Sequence, residues 1–244
     1  MNMDGIELKS MPLLMKDPAL SADFLEALHR GKADIIYDSE NVLLVNIKDS
    51  SVFFHIGGGA EGREALKLVF PDEDGFSLVV AHDLEIREYL MAEMGYKNDR
   101  GCYQAVYEGD KIQVDSQLTF HAPAEEDFEL FRSTYGIGDD EIKRELFNSP
   151  EFMGGYITDE KGNEVMAGYV GEHLEGSIGM LYVFPEFRKR GLAYEMQAFM
   201  INRAIDKGSI PFGQIYEDNA ASLALSHKMG LTFSKSMLYW LWKF

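Results

Sequence analysis

Leu181-Tyr182-Val183-Phe184-Pro185-Glu186-Phe187-Arg188-Lys189-Arg190-Gly191-Leu192-Ala193 is the stretch on which the reading of this chain turns. A strand-like apolar run enters a proline-bearing turn, then a basic loop, then a helix that starts near Gly191. The apolar set Leu192, Met196, Phe199 and Met200 has helical spacing, and Lys207-Gly208 ends the helix. A helix N-terminus offers unpaired N–H groups and a partial positive charge, the geometry that takes a phosphate or pyrophosphate. Gly191 has no Cβ, so a backbone can approach a ligand closely there, and Ala193 is small for the same purpose. Residues 188–190 form the densest basic cluster in a chain of net charge −18, which directs attention to a local anion.

Around this stretch the order is βααβββαβαβ, a mixed α/β layer architecture. A strand over 117–121 precedes helices over 125–135 and 139–147, the second with Asp139-Asp140-Glu141 at its positive end. Strands over 155–158 and 165–171 flank a turn at Asp159-Glu160-Lys161-Gly162-Asn163. A strand over 177–183, the helix from Gly191, a strand over 212–216, a helix over 222–229 stopped by Gly230 and a last strand over 237–242 complete it.

The pattern Arg188-x-x-Gly191-x-Ala193 resembles the acyl-CoA signature of GNAT N-acetyltransferases, Gln/Arg-x-x-Gly-x-Gly/Ala, and Leu181-Tyr182-Val183-x-Pro185-Glu186 fits the strand that precedes it in that family. A second segment, Asn219-Ala220-Ala221-Ser222-Leu223-Ala224-Leu225-Ser226-His227-Lys228-Met229-Gly230-Leu231, resembles the family's Asn-x-x-Ala/Ser-x-x-Leu-Tyr-x-Lys-x-Gly-Phe. The two motifs cover residues 176–233, and the element order extends the match over about 116–244. The resemblance implies a GNAT fold for this half. It implies acetyl-CoA as co-substrate, with no metal. It assigns pantetheine pairing to the backbone of Leu181, Tyr182 and Val183. Arg188, Lys189, Arg190, Gly191, Leu192, Ala193 and Tyr194 would hold the pyrophosphate. Asn219, which can also cap its helix, and Ser222 complete the cofactor set.

The resemblance weakens at the chemistry. Many family members use a tyrosine to protonate the leaving thiolate; here the position is Ser226, a far poorer acid. Many use a glutamate on the strand before the asparagine as base; here it is Gln214, which cannot take a proton. The two-domain glycine N-acyltransferase-like branch resembles this chain more closely, through Pro185-Glu186-Phe187-Arg188 and residues 208–219. Its base glutamate aligns with Ser177. Glu175 and His173 share that strand face, and a bulge or register slip would bring Glu175 into place; read without the family, they are the solvated tip of a hairpin. The catalytic candidates are therefore Glu175, Ser177 and Ser226. The resemblance points to N-acetyl transfer to a small amine or amino acid, with a non-catalytic CoA-binding or regulatory protein as the alternative.

The first half repeats part of the order: a hairpin over 41–46 and 52–56, a helix over 61–69, a strand over 76–81, a helix over 84–94 and a strand over 102–107. Met94-Gly95 and Met229-Gly230 each end a helix, and Cys102 and Met237 lie eight residues beyond each Met. Phe76 and Phe212 stand 18 and 17 residues before them. The general likeness of one βαβ unit to another would account for this register, as would a tandem duplication. The duplication divides the chain into a degenerate GNAT-like domain over 1–115 and a GNAT domain over 116–244. Gly57-Gly58-Gly59-Ala60-Glu61-Gly62-Arg63 stands where the pyrophosphate loop would be, but it lacks the motif and reads as a flexible turn. This half is expected not to bind CoA and to wall the acceptor site.

Composition sets the outer bounds. The charge of −18 argues against a nucleic-acid partner. No stretch approaches the ~18 apolar residues a membrane span needs, and the N-terminus is a poor signal peptide. A single cysteine, Cys102, allows no internal disulfide and reads as a small buried hydrophobe in a cytoplasmic protein. The terminal strand with Tyr239, Trp240 and Trp242 is either core or the edge of a homodimer.

Overall fold

The computed structural model describes residues 7–70, 78–136 and 138–243. In chain order, the elements are α1 (Met11–Leu14), α2 (Ala22–His29), β1 (Ala33–Asp38), β2 (Leu43–Ile47), β3 (Val52–Ile56), α3 (Gly59–Lys67), β4 (Leu78–Ala81), α4 (Leu84–Glu93) and β5 (Asn98–Val106). There follow β6 (Thr119–His121), α5 (Phe128–Thr134), α6 (Asp140–Phe147), β7 (Met153–Thr158), β8 (Glu164–Glu172), β9 (Ile178–Val183) and α7 (Leu192–Asp206). The last are β10 (Phe212–Tyr216), α8 (Ala220–Lys228), β11 (Thr232–Phe233) and β12 (Leu238–Trp242). The strand expected over 76–81 is seen from Leu78; Phe76 lies outside the described residues.

These elements form two compact units, Met1–Glu108 with Phe212–Phe244, and Gly109–Pro211. The division differs from a boundary at 115/116 because the last 33 residues build into the sheet of the first unit. The sheet order there is β1-β2-β3-β4-β12-β5-β10, with β11 beside β5. Tyr239, Trp240 and Leu241 of β12 pair with Ala81, Val80 and Val79 of β4. On its other side β12 pairs with β5 from Leu238↔Cys102 to Trp242↔Asn98. The remainder of β5 pairs with β10, from Tyr216↔Cys102 to Phe212↔Val106. The closing strand of each sequence half thus lies against a strand of the other half. β12 has a neighbour on both sides and is no dimer edge.

One face of this sheet packs α3 and α4 through Leu44, Leu66, Val79, Ala81, Ile86, Leu90 and Leu241. α2 was not legible in the sequence because Ala22, Asp23, Phe24, Leu25, Glu26 and Ala27 are all buried, so it shows no polar face. β1 hid for the opposite reason: it is an edge strand with Ile35 and Ile36 exposed. Cys102 is buried on β5, and burial pushes its thiol up to about 12, leaving it inert.

The second unit carries the antiparallel sheet β6-β7-β8-β9. An aromatic cluster of Phe128, Phe131, Phe147, Phe152, Tyr169 and Phe184 holds α5 and α6. A second cluster of Leu118, Ala167, Val170, Leu192, Met196 and Met200 seats α7. Asp139 caps α6, accepting from the Glu141 and Ile142 amides at 3.0 Å each. Gly208 follows α7 with φ 71°.

Candidate functional site

β9 is bulged. Gly179 pairs with Gly171 and Tyr182 with Tyr169, so Met180 and Leu181 together oppose Val170, and Met180 takes φ 52°. Such a bulge leaves a residue out of the ladder and re-aims the strand. β9 is also the last strand of its sheet, and its outer edge has no strand partner among the described residues. Leu181, Tyr182 and Val183 lie along it, each part-exposed.

Beyond β9, Pro185–Phe187 form a 3-10 turn, and α7 begins after Gly191. Lys189 (φ 62°) and Gly191 (φ 85°) are both left-handed, two residues apart. Turns of this kind gather successive N–H groups into an anion-binding concavity, here at the positive end of a helix 15 residues long. A Cβ built on Gly191 would meet nothing within 4 Å. No protein atom therefore requires glycine there; the left-handed backbone does, and the open space suits a ligand. The arginine side chains brace the turn. Arg188 Nε donates to the Val183 carbonyl at 2.9 Å, and its guanidinium lies 5.4 Å from the Tyr182 ring centre. Arg190 Nη2 donates to the Glu186 carbonyl at 3.2 Å. Leu192 turns its side chain into the core, while Ala193 and Tyr194 remain part-exposed, so any service of Leu192 to a ligand is through its backbone.

Glu175 and Ser177 are brought together. The loop between β8 and β9 is closed by the His173 amide on the Ser177 carbonyl (2.9 Å) and the Gly176 amide on the His173 carbonyl (3.0 Å). Ser177 Oγ donates to Glu175 Oε1. Both side chains are buried, at 4% and 1% exposure, so this is not a solvated tip. Only Leu174, 63% exposed, stands out into solvent. The hydroxyl partner explains how a carboxylate is tolerated there.

Asn219, Ser222 and Ser226 belong to the other compact unit. Asn219 Oδ1 accepts from the Ser222 amide at 3.1 Å, capping α8. Ser226 is buried in α8. Gln214 on β10 is fully engaged: its Nε2 donates to Gln104 Oε1 (2.9 Å) and Asp23 Oδ2 (3.2 Å), and its Oε1 accepts from Trp240 Nε1 (2.6 Å). This network was invisible in the sequence, because its members lie on α2, β5, β10 and β12.

The same network holds a buried histidine–aspartate pair. His82 Nε2 meets Asp23 Oδ2 at 2.8 Å, and His82 Nδ1 meets the His55 carbonyl at 3.2 Å. The His55 carbonyl can only accept, so Nδ1 carries a proton. Burial opposes a charged ring, but Asp23 together with Asp83 and the His55 carbonyl outweighs it, and the His82 pKa is raised. Burial instead pushes His55 down to about 4, against the Gly62 carbonyl that its Nε2 meets at 3.1 Å.

The glycine-rich loop of the first half is pinned rather than free. The Gly57 amide donates to Asp83 Oδ2 at 2.6 Å and the Gly59 amide to Glu85 Oε2 at 2.9 Å. The amide of Gly59 and the guanidinium of Arg63 hold the Glu85 carboxyl below its ordinary range. The chain's own carboxylates thus take donors that an external anion would need. Among the described residues, no group of three His, Cys, Asp or Glu is placed to hold a metal, and no helix is long and apolar enough to cross a membrane.

Residues 155–241 match the family model described as FR47-like protein. Among solved structures, the chain is similar to a protein from Drosophila, at a TM-score of 0.62 and 19% identity over 82% of this chain and 73% of that one. It is similar to a GNAT-family protein from Novosphingobium aromaticivorans (TM-score 0.57, 16% identity, 90% and 94% covered). It is also similar to a GCN5-related N-acetyltransferase from Kribbella flavida (TM-score 0.55, 13% identity, 92% and 94% covered). No curated protein matches the chain by sequence. The mixed α/β fold is that of GNAT proteins.

Proposed function

We propose that this chain is an N-acyltransferase that moves an acetyl group from acetyl-CoA to the amine of a small molecule or amino acid. The observation that carries the reading is the left-handed turn at Lys189 and Gly191, opening α7 beside the bulged free edge of β9. That turn suits a pyrophosphate, and the free backbone edge suits the amides of a pantetheine arm. In the reaction, the amine nitrogen attacks the thioester carbonyl carbon. The C–N bond forms, the C–S bond breaks, and the electron pair leaves on the thiolate. Strand N–H groups freed by the bulge polarise the carbonyl. Glu175, held by Ser177, takes the proton from the amine. Holding the two reactants together supplies much of the acceleration, and the net charge of −18 favours cationic amines.

The tandem reading belongs to this proposal. Met94 and Met229 cap α4 and α8, and Gly95 (φ 73°) and Gly230 (φ 77°) follow them in the same left-handed conformation. β5, which holds Cys102, and β12, which starts just after Met237, lie side by side. These correspondences support two GNAT-like sequence halves, 1–115 and 116–244, that have exchanged closing strands; the glycine N-acyltransferase-like branch likewise pairs a degenerate first half with a GNAT second half. A cytoplasmic setting accords with the single buried cysteine, and a homodimer would have to use a surface other than β12.

Gln214 favours a second reading, a non-catalytic CoA-binding protein, because its amide is saturated and no carboxylate stands at that position. A thermal melt with acetyl-CoA, longer acyl-CoAs and free CoA, followed by thiol release over a panel of amines, separates the two. Stabilisation with release supports the enzyme. Stabilisation without release from any amine supports the binding protein, and no stabilisation removes both.

A further inference from the structure

Residues 111–118 have no secondary structure, yet they are latched along the whole of α7. Lys111 Nζ pairs with Asp206 Oδ1 near the helix end. The Ile112 amide donates to Asn202 Oδ1 and Asn202 Nδ2 donates to the Ile112 carbonyl, both at 2.8 Å. At the other end the Gln117 amide donates to Glu195 Oε1 at 2.7 Å, and Gln117 Nε2 donates to the Arg190 carbonyl at 3.3 Å. Glu195 is buried, and its Oε2 has no hydrogen-bond partner. From Asp206 to Glu195 the helix runs about 16 Å at 1.5 Å per residue. The six steps from Lys111 to Gln117 reach about 20 Å fully extended, enough to span it. Its last latch falls inside the turn between Lys189 and Gly191.

We infer that Gln117 is a positioning residue for the pyrophosphate of acyl-CoA, holding the Arg190 peptide so that the turn keeps its left-handed form. The inference rests on the acyl-CoA reading given above. Gln117 itself is exposed, so its side chain is not needed for folding. Its bond is to the carbonyl of the peptide that joins Arg190 to Gly191, inside the turn.

The test compares Gln117→Ala, Gln117→Lys and wild type by calorimetric titration with acetyl-CoA and free CoA, by melting without ligand, and by kinetics with acetyl-CoA and S-acetylpantetheine. Losing one neutral hydrogen bond predicts that Gln117→Ala weakens both CoA ligands about fivefold. The unliganded melting temperature, kcat at saturating acetyl-CoA and KM for S-acetylpantetheine, which has no pyrophosphate, should stay unchanged. Gln117→Lys, which keeps a donor, should recover most of the loss. Unchanged affinity in Gln117→Ala, or an equal loss toward S-acetylpantetheine, overturns the inference and leaves the acyl-CoA reading standing. Absence of acetyl-CoA binding by wild type overturns both.

Discussion

His55 gives the acid limb of this protein's stability a magnitude. It is fully buried on β3, its Nε2 engages the Gly62 carbonyl, and its Nδ1 has no partner. Burial sets its pKa at about 4 against an ordinary value of 6.5. Between those values the unfolded chain binds a proton that the folded chain refuses. Stability therefore rises with pH across this window and is lost as pH falls through it. At 1.36 kcal/mol per pKa unit, His55 alone removes about 3 kcal/mol between pH 6.5 and pH 4. Gln at this position keeps an Nε2 donor for Gly62 and cannot titrate. The advantage of wild type over His55→Gln should therefore shrink by about 3 kcal/mol from pH 7 to pH 4. The depressed carboxyls of Asp38, Glu61, Glu85, Glu151 and Asp159 add their own acid slope, but they are common to both proteins and cancel in the difference. His82 slopes the other way: its pKa is raised, so its contribution is complete below 6.5 and fades as pH climbs through the folded value. Urea unfolding at several pH values, followed by tryptophan fluorescence, makes the measurement. Both tryptophans, Trp240 and Trp242, lie on β12 in the same compact unit as His55. A difference that stays constant over the range would refute the argument.

Three further outcomes follow from the site. Gly191→Glu meets no protein atom at its Cβ but must adopt φ 85°. It should cost about 1–2 kcal/mol of fold stability and abolish stabilisation by acetyl-CoA in a melt; a retained ligand shift excludes this turn as the pyrophosphate seat. Glu175→Gln keeps an oxygen for Ser177, so acetyl-CoA affinity by titration should hold while kcat falls on the order of 100-fold or more. An unchanged kcat assigns proton removal to solvent. Gly168→Ala places a Cβ 2.2 Å from the Tyr182 carbonyl and 3.1 Å from Val183 Cα, so β9 must shift. Denaturant unfolding should show a loss of about 3 kcal/mol, with weaker acetyl-CoA binding, and wild-type values for both would contradict the register of β8 on β9.

What the sequence made legible is local. α7 and α8 could be placed because their stop signals, Gly208 and Gly230, need the left-handed backbone that glycine supplies. The turn before α7 could be placed because small residues and basic residues coincide there. The bulge could not, since Met180 is a non-glycine residue at positive φ and leaves no compositional mark. Glu175 reads as solvated because a carboxylate usually is; the hydroxyl that keeps it inside is two residues away on a loop whose closure is a matter of backbone hydrogen bonds.

Pairing between distant strands was the least legible feature, and it changes what the first half is for. β5 reads as a strand with a buried cysteine and β12 as core or a dimer edge, but alternation cannot say which partner each takes. In the fold, α8 and its Asn219 cap are carried on a sheet to which the first half contributes β1 to β5. That half has filled its own glycine loop with Asp83 and Glu85. It nevertheless supplies β4 and β5 as the partners of β12, and β5 as the partner of β10. The helix α8 and its Asn219 cap are therefore held in place by strands of the first half. For that reason the first half cannot be removed without dismantling the strands on either side of α8.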